Sequence, residues 1–406
     1  MKEIQLNQQQ LEAISHRDGP MIVLSVAGSG KTMVLTERII YLIEEYNINP
    51  NNLLAITFAK KAVLEIISRL KKRLNGNGDT TTVCTFHCLG YRILRAEGYP
   101  INEFKLIHNG DQMNLFRQAM DKADIKEEPS LLLTRISLAK NDLISPSDLE
   151  QSSQPEDKKL SKVYYCYELL KKRKRLLDFD DLLYFPYQLF RQDKGILEYY
   201  QRRFQHILVD EFQDSSKVMV ELVKLLSQNH NNVWLAGDDD QSIHSFRGAR
   251  SDIFVSLDKE CWTDTKTITM SYNYRSTGSI LKAANSLISH NRVRVKKSIV
   301  TDNEDGEEIQ IVEAENEIAE AELIANRIVE LISEGYGFND IAILVRVHRL
   351  MPLIEAALIR EKIPYNSYGG FLLNRRDIKT VIAIMRYLIS GDPSDGIDTD
   401  LLDKNE

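Results

Sequence analysis

The residues with the clearest chemical potential lie near the start of the chain, at positions 25–32 (SVAGSGKT). Gly28 and Gly30 would let backbone N–H groups approach phosphate oxygens, because neither residue has a Cβ in the way. Lys31 would reach the β- and γ-phosphates of a nucleotide, and the hydroxyl of Thr32 would bind Mg²⁺. The run therefore predicts a site for a nucleoside triphosphate with its magnesium ion.

The segments on either side of this loop fit a phosphate site. An apolar run at residues 21–24 predicts a buried strand, and residues 34–40 have the spacing of an amphipathic helix. Strand, glycine-bearing loop and helix, in this order, are the context that a P-loop requires. The helix N-terminus adds a favourable field for negative charge. Ser25 stands where the usual pattern has glycine or alanine, and it is small enough to fit.

Two adjacent carboxylates, Asp210 and Glu211, follow a second apolar run at residues 206–209. In phosphoryl transfer to water, Asp210 would orient Mg²⁺ and Glu211 would take a proton from the attacking water. A polar strand exit is the simpler interpretation of a single acid. The pair, in a chain that also has a P-loop, favours the catalytic interpretation.

A further apolar run at residues 233–237 leads into three acids, residues 238–240, and then Gln241. Three consecutive acids would ordinarily indicate a solvated turn or a metal site. Gln241 is a candidate sensor of the γ-phosphate, since its amide can both donate and accept. Phe246 and Arg247 would relay nucleotide occupancy to a bound strand through base stacking and phosphate contact.

Three more residues are candidates for nucleotide recognition. Gln10, just before the P-loop strand, could read the edge of adenine, although it could also be a plain residue of an N-terminal helix. Tyr274 could stack on adenine, and Arg275 could reach the charge of the transition state as an arginine finger. A Tyr-Arg pair alone would be unremarkable, so its weight depends on the motifs above.

Aromatic and basic residues at two other strand ends suggest a nucleic acid. Phe58 and Lys60 follow the apolar run at residues 53–57, and His87 follows the run at residues 81–85. An aromatic side chain beside lysines suits base stacking combined with a grip on the backbone. The net charge of −7 argues mildly against such a partner, and positive clusters, as at residues 60–61, 69–73, 171–175 and 292–297, are more often solvated helix faces. Charge alone does not predict DNA binding.

The elements that would position these residues alternate between strand and helix. This alternation predicts an α/β fold with a parallel sheet covered on both faces, with ligands beyond the carboxyl ends of the strands. Between residues 89 and 203 the strand signals give way to helical ones, which predicts a helical insertion. A second series predicts strands at residues 309–312 and 341–345, helices at 318–332, 350–360 and 377–389, and a disordered acidic tail at 391–406.

Composition limits the class of protein. The chain of 406 residues has no apolar run long enough to span a bilayer and no signal-peptide core, so we expect a cytoplasmic protein without a membrane partner. Its four cysteines are too scattered for a disulfide framework. Cys84 and Cys88 flank His87, but a zinc site is disfavoured because no second ligand pair stands at zinc spacing.

In chain order, these motifs resemble those of the Rep/UvrD/PcrA-type DNA helicases of the first helicase superfamily. The matching stretches run from about residue 6 to residue 390: 6–10 (LNQQQ), 27–32 (AGSGKT), 57–62 (TFAKKA), 85–87 (TFH), 177–182 (LDFDDL), 210–214 (DEFQD), 237–243 (GDDDQSI), 273–276 (NYRS) and 368–370 (YGG). The resemblance implies a RecA-like P-loop domain at residues 1–88 and 204–275, with the helical insertion at 89–203. It also implies an incomplete second RecA-like domain at 276–390.

The resemblance further implies ATP and Mg²⁺ as cofactors, single-stranded or partly duplex DNA as partner, and translocation in the 3′ to 5′ direction. It implies a nucleotide site of Gln10, Ala27, Gly28, Ser29, Gly30, Lys31, Thr32, Tyr274 and Arg275, with Thr32 and Asp210 on the metal. Lys31, Glu211, Gln241 and Arg275 would be catalytic. Phe58, Lys60, His87, Phe246 and Arg247 would face DNA.

The sequence also departs from the family. Met33 stands where the family usually has arginine, His244 replaces a usual tyrosine and Phe246 a frequent tryptophan. The family's later motifs, a Gly-Leu-Glu-type DNA contact and a late arginine, are missing, so we expect a truncated form or an N-terminal part. An arginine on the transferred phosphate is worth about 10³–10⁵ in rate, so Arg275 alone would leave hydrolysis slow.

Three interpretations follow. The chain is an ATP-dependent DNA helicase or translocase, or it is a module that binds ATP and single-stranded DNA with little turnover. The module would need a partner protein that supplies the C-terminal half. An unrelated P-loop NTPase is the third interpretation, and the ordered set of motifs disfavours it.

Overall fold

The computed structural model describes residues 6–76, 78, 80–98, 103–107, 109–243, 248, 261–262, 264–291, 294–367, 378, 381 and 384–385. The chain divides into two compact units, Met1–Glu308 and Ile309–Glu406. None of the described helices is both long enough and apolar enough to cross a bilayer.

The first unit is built on a six-stranded parallel sheet with the strand order β3-β2-β6-β7-β1-β8. The sheet confirms the predicted α/β class. It brings the carboxyl ends of the strands that precede the P-loop and the acidic pair to the same edge. The strands of the unit are β1 (Met21–Ser25), β2 (Leu53–Ile56), β3 (Thr82–Cys84), β4 (Lys105–Leu106), β5 (Leu176–Leu177), β6 (His206–Val209), β7 (Val233–Gly237) and β8 (Lys266–Met270).

The described helices of this unit follow the strands in the predicted alternation. They are α1 (Gln8–Ser15), α2 (Lys31–Glu44), α3 (Lys60–Leu74), α4 (Phe86–Ala96), α5 (Asn109–Ala123), α6 (Pro129–Asn141), α7 (Pro146–Glu150), α8 (Pro155–Lys174), α9 (Asp181–Gln192), α10 (Lys194–Arg203), α11 (Lys217–Ser227) and α12 (Gly278–Ile288).

Both faces of the sheet are buried because successive side chains of a strand point to opposite faces. In β1, Ile22 and Leu24 pack with residues of α4, α9, α10 and α11. Met21 and Val23 pack on the other face with residues of α1, α2 and α3. This double burial explains why β1 is a continuous apolar run rather than an alternating one.

The return from the insertion to the sheet depends on one close contact. A Cβ at Gly90 in α4 would lie 1.7 Å from the carbonyl oxygen of Leu182 in α9, so only glycine permits this approach. Leu183 and Phe190 of α9 then enter the core beneath the sheet. The acidic and apolar exit at residues 176–183 thus packs back on the sheet.

The insertion has its own core, formed by helices α5 to α8. It also contains a short parallel strand pair, because β4 pairs with β5, so it is not wholly helical. Beneath this pair, Lys140 and Lys171 are buried against the carboxylates of Asp178 and Asp181. Opposite charges in such numbers offset the cost of removing each from water.

Among the described residues, the second unit contains the α-helices α13 (Glu317–Ser333) and α14 (Met351–Arg360), which pack together around Ala325 and Leu358. The strands predicted at residues 309–312 and 341–345 are not formed, and Ile311 and Leu344 are 91% and 94% exposed. A strand needs a backbone partner, and neither segment has one among the described residues. The helix predicted at 377–389 and the tail at 391–406 fall largely or wholly outside those residues.

Candidate nucleotide-binding and catalytic site

The predicted phosphate loop connects the end of β1 to the start of α2, which begins at Lys31. Gly28 has a φ of +70°, and a Cβ there would lie 2.7 Å from Nδ2 of Asn273. The Oγ of Ser29 is buried, and no hydrogen-bond partner for it exists among the described residues. A backbone that excludes Cβ atoms, beside an unsatisfied hydroxyl and a helix N-terminus, fits a phosphate group.

The lysine and threonine of this loop contact the acidic pair that follows β6. Nζ of Lys31 lies 2.7 Å from Oε2 of Glu211, and Oγ1 of Thr32 donates to Oδ2 of Asp210 at 3.0 Å. Lys31 and Asp210 are both buried. Four residues predicted from two distant motifs are therefore brought together at one edge of the sheet.

Glu211 has a constrained backbone, with a φ of +53°. Left-handed backbone is costly for a residue with a Cβ and occurs mainly where the surrounding structure imposes it. Its side chain is about one-third exposed, whereas Asp210 directly before it is buried. The two carboxylates consequently have different environments, as separate roles on a metal ion and on a water molecule would require.

Burial raises the pKa of Asp210 to about 6, and the negative charge of Glu211 adds to the effect. The ammonium group of Lys31 and the hydrogen bond from Thr32 act in the opposite direction. A carboxylate that is buried and has too little positive charge around it is well suited to a cation. Thr32 and Asp210 thus fit the predicted magnesium site.

Gln213 extends the site to the loop after β7. Its Nε2 donates to Oε2 of Glu211 at 2.9 Å, and its Oε1 accepts from the backbone N of Asp238 at 3.0 Å. Nε2 of Gln241 in turn donates to Asp238. In the sequence, Gln213 is only one residue of the DEFQD run, with no signal of a separate role. Its position links the proposed base to the proposed γ-phosphate sensor.

The predicted adenine residues lie on the other side of the loop. Nε2 of Gln10 donates to the carbonyl of Ser29 at 3.0 Å, and Asn7 caps the helix that holds Gln10. The hydroxyl of Tyr274 accepts from Nδ2 of Asn7 at 2.7 Å, while the Tyr274 side chain is 52% exposed. Gln10 and Tyr274 thus lie on either side of Asn7, which bonds to both, and the exposed ring of Tyr274 is available for stacking.

Asn273 fixes the turn that carries Tyr274 and Arg275. Its Nδ2 donates to the carbonyl of Ala27 at 2.7 Å, and its Oδ1 accepts from the backbone N of Arg275 at 2.8 Å. The backbone N of Tyr274 donates to the carbonyl of Gly28 at 3.0 Å. Arg275 is therefore held by its backbone beside the P-loop, with its side chain exposed. The place of Asn273 in the NYRS run gives no sequence signal of this positioning role.

The residues predicted to face DNA lie on two neighbouring strand ends. Phe58 is partly buried and packs edge-to-face on buried Phe86, with ring centroids 5.7 Å apart. His87 makes a similar contact at 5.9 Å with Phe179, which is 47% exposed, and burial lowers the pKa of His87. Lys60 is exposed at the start of α3. Phe246 and Arg247 lie outside the described residues.

The three acids at residues 238–240 pair with basic residues from further along the chain rather than with solvent. Asp238 is buried, and all three carboxylates contact Lys297. Arg294 also binds Asp240 through two nitrogen atoms, at 2.9 and 2.7 Å. The interpretation as a solvated turn is therefore wrong, because the charge of the run is neutralised by cations about 55 residues further along. The three carboxylates lie close enough together to hold a metal ion, so the metal site stays a prediction. The signal in the sequence is the basic cluster at residues 292–297, which taken alone favours a solvated helix face.

Two family models cover most of the chain. The model described as the UvrD/REP helicase N-terminal domain matches residues 6–261, and that of the UvrD-like helicase C-terminal domain matches residues 268–395. Similar curated proteins include the ATP-dependent DNA helicase PcrA of Staphylococcus aureus strain Mu50, 36% identical over 391 residues. This alignment covers 94% of the present chain and 53% of the relative. The PcrA of Staphylococcus epidermidis strain RP62A is likewise 36% identical, over 94% of this chain and 54% of its own. The chain thus spans about half the length of these relatives.

Proposed function

Because this chain belongs to the UvrD/REP helicase family, we propose that it acts as an ATP-dependent DNA helicase or translocase. The observation that carries the proposal is the meeting of the P-loop with the acidic pair, Lys31 with Glu211 and Thr32 with Asp210. A phosphate-binding lysine and a candidate base at one place are what ATP hydrolysis needs.

We assign the chemistry as follows. Lys31 and the loop N–H groups bind the phosphates, and Thr32 and Asp210 hold Mg²⁺. When bound, the ion supplies positive charge to the β- and γ-phosphate oxygens. Glu211 accepts the proton of the attacking water. Gln213 orients the Glu211 carboxylate by donating a hydrogen bond to its Oε2. Gln241 and Arg275 complete the site as groups that sense the γ-phosphate.

ATP selectivity is assigned to the surface formed by helix α1 and the turn at residues 273–275. Gln10 is buried next to the loop, where its amide bonds to the carbonyl of Ser29 and to the backbone N of Asn7, and Tyr274 offers an exposed ring nearby. An amide that reads the base edge and a ring that stacks on its face together favour adenine over other bases.

The DNA is assigned to the strand ends that carry Phe58, Lys60 and His87, with Phe246 and Arg247 as further candidates. Phe179 joins this set because its exposed ring packs against His87. Stacking on aromatic rings holds single strands with little sequence preference. Movement in the 3′ to 5′ direction and a partner protein that contributes C-terminal motifs are further parts of the proposal.

The direct test is ATP hydrolysis by the purified chain with and without single-stranded DNA. Lys31→Ala should abolish turnover, whereas Lys158→Ala, at an exposed lysine of α8, should leave it unchanged. Stimulation by DNA that Lys31→Ala removes supports the proposal. Turnover that is equal in both variants would contradict it, and tight ATP binding without turnover would favour the binding module.

Two further assays address the DNA. Affinity for an oligonucleotide should fall as salt rises, because phosphate contacts release counterions, and a flat response would exclude a backbone grip. Unwinding of duplexes with a 3′ or a 5′ single-stranded tail tests the direction. Preference for the 5′ tail would overturn the proposed polarity.

A further inference from the structure

Lys297 is buried among the three acids that precede Gln241. Its Nζ lies 2.8 Å from Oδ1 of Asp238 and 3.3 Å from Oδ2 of Asp240, and it also contacts Asp239. The Lys297 side chain is only 1% exposed. The backbone N of Val295 adds a bond of 2.7 Å to Asp239. The loop that carries Gln241 is thus bound to residues 294–300, here called the 294–300 segment.

The buried ammonium group of Lys297 stays charged because of the carboxylates around it. Burial alone would lower the pKa of Lys297, but the carboxylates of Asp238 and Asp239 raise it above its usual value. A buried lysine that stays charged holds its partners in place, since separating them would leave the ammonium group unpaired in a poorly solvated site. Asp240 would keep Arg294 and Asp239 would keep the backbone N of Val295, so Asp238 is the carboxylate that depends most on Lys297.

The other end of the 294–300 segment reaches the turn that carries Tyr274 and Arg275. Val300 forms a parallel bridge with Tyr272. Its carbonyl accepts from the backbone N of Asn273 at 2.8 Å, and its own N donates to the carbonyl of Ser271 at 3.0 Å. One short segment therefore contacts both places where the γ-phosphate is proposed to be sensed.

We propose that Lys297 is a positioning residue that sets the place of Gln241 and, through the 294–300 segment, ties it to the turn of Arg275. The inference rests on the proposed function, since Gln241 and Arg275 are assigned to the γ-phosphate there. An ion pair with a merely structural role would stabilise the fold without linking these two groups.

The first test does not depend on nucleotide. Hydrogen exchange should be compared in the wild type, in Lys297→Met, and in Lys296→Met, which removes the exposed neighbouring lysine. In Lys297→Met, amides at residues 238–242 and 271–275 should exchange about tenfold faster, which corresponds to about 1.4 kcal/mol of local opening. Lys296→Met should match the wild type. Unchanged protection at residues 271–275 in Lys297→Met would overturn the linkage.

The second test asks whether Lys297 acts through Gln241. The ratio of ATP to ADP affinity reports on the γ-phosphate, so it should fall about tenfold in Lys297→Met and also in Gln241→Ala. The double variant should lose no more than either single variant, because both changes remove the same contact. Additive losses, or an unaltered ratio in Lys297→Met, would show that Lys297 does not act through Gln241.

Two further variants guard against misfolding. Lys297→Arg keeps the charge and should restore most of the discrimination. Asp239→Asn serves as the test variant if Lys297→Met does not fold. It leaves Lys297 with Asp238 and Asp240, so hydrogen exchange at residues 238–242 and 271–275 should be faster than in the wild type, but by less than the change expected for Lys297→Met. Failure of the wild type to hydrolyse ATP would count against the proposed function alone, because hydrogen exchange would still decide the linkage.

Discussion

The ammonium group of Lys31 lies 2.7 Å from Oε2 of Glu211, although 180 residues separate the two in the chain. The same oxygen accepts a hydrogen bond from Nε2 of Gln213. The proposed base therefore has two donors on one oxygen, and the bond from Gln213 leads on to the loop of Gln241. The phosphate-binding and water-activating groups of the proposed reaction share one hydrogen-bond network.

Glu211→Gln tests the proposed base. The amide keeps the size of the side chain but cannot take a proton, so hydrolysis should fall by about 10²–10⁴-fold. The affinity for ATP should change little, because the P-loop is intact. Steady-state kinetics and binding of a fluorescent ATP analogue provide the two measurements. Loss of both together would indicate that Glu211 maintains the structure of the loop instead.

Gly28→Ala tests the contact between the P-loop and the turn at residues 273–275. The new Cβ would lie 2.7 Å from Nδ2 of Asn273 and 2.8 Å from Cβ of Arg275, so the turn must move. ATP affinity, measured by calorimetry, should fall at least tenfold. Gly19→Ala is the matched control, because Gly19 also has a positive φ, of +87°, but a Cβ there would have no described atom within 4 Å. Equal losses in the two variants would point to backbone strain rather than displacement of the turn.

Gly90→Ala reverses a general rule of helix stability. Alanine normally stabilises a helix interior by about 1 kcal/mol over glycine. Here the methyl group would lie 1.7 Å from the carbonyl oxygen of Leu182, so α4 and α9 must separate. The melting temperature should drop by several degrees. Gly195→Ala in α10 is the control, because a Cβ there would lie 3.3 Å from its nearest described atom, Oδ1 of Asp193. This variant should leave the melting temperature unchanged or raise it. A rise in both variants would contradict the close packing.

His206→Gln tests a pH effect at the start of β6. Burial, together with the charge of Arg38, lowers the pKa of His206 from 6.5 to about 4. Between these values the unfolded chain binds a proton that the folded chain does not, so acid reduces wild-type stability. At about 1.4 kcal/mol per pKa unit, the advantage of the wild type over the variant should shrink by roughly 2 kcal/mol between pH 7.5 and 4.5. Urea denaturation at both values measures it, and a constant difference would refute the effect.

The central sheet was predictable because its strands are short apolar runs that end in polar motifs. Residues 21–25 and 206–209 illustrate this, since double burial removes the alternation but the runs are too short for a helix and end in polar motifs. The meeting of Lys31 with Glu211 also followed, because parallel strands place their carboxyl ends at one edge. The roles of these residues in catalysis stay predictions.

Other features lay beyond the sequence because they depend on distant partners. Nothing near residues 238–240 shows that Lys297 neutralises them, and a basic run looks the same on a solvated helix as in a buried cluster. The apolar residues around Ile311 and Leu344 have strand character, but pairing is decided by neighbouring backbone rather than by composition. The strand pair β4–β5 is only two residues long, below the length at which periodicity is informative.

The place of β1 in the sheet has a consequence for how the protein is made. Met21 pairs with Trp234 on one side and with Lys266 on the other, so this strand is synthesised early but has no neighbours until much later. Contacts between such distant residues form slowly. During translation β1 therefore cannot take its place between β7 and β8 until about residue 270 has been synthesised. An apolar segment exposed for that time is a natural site for chaperone binding.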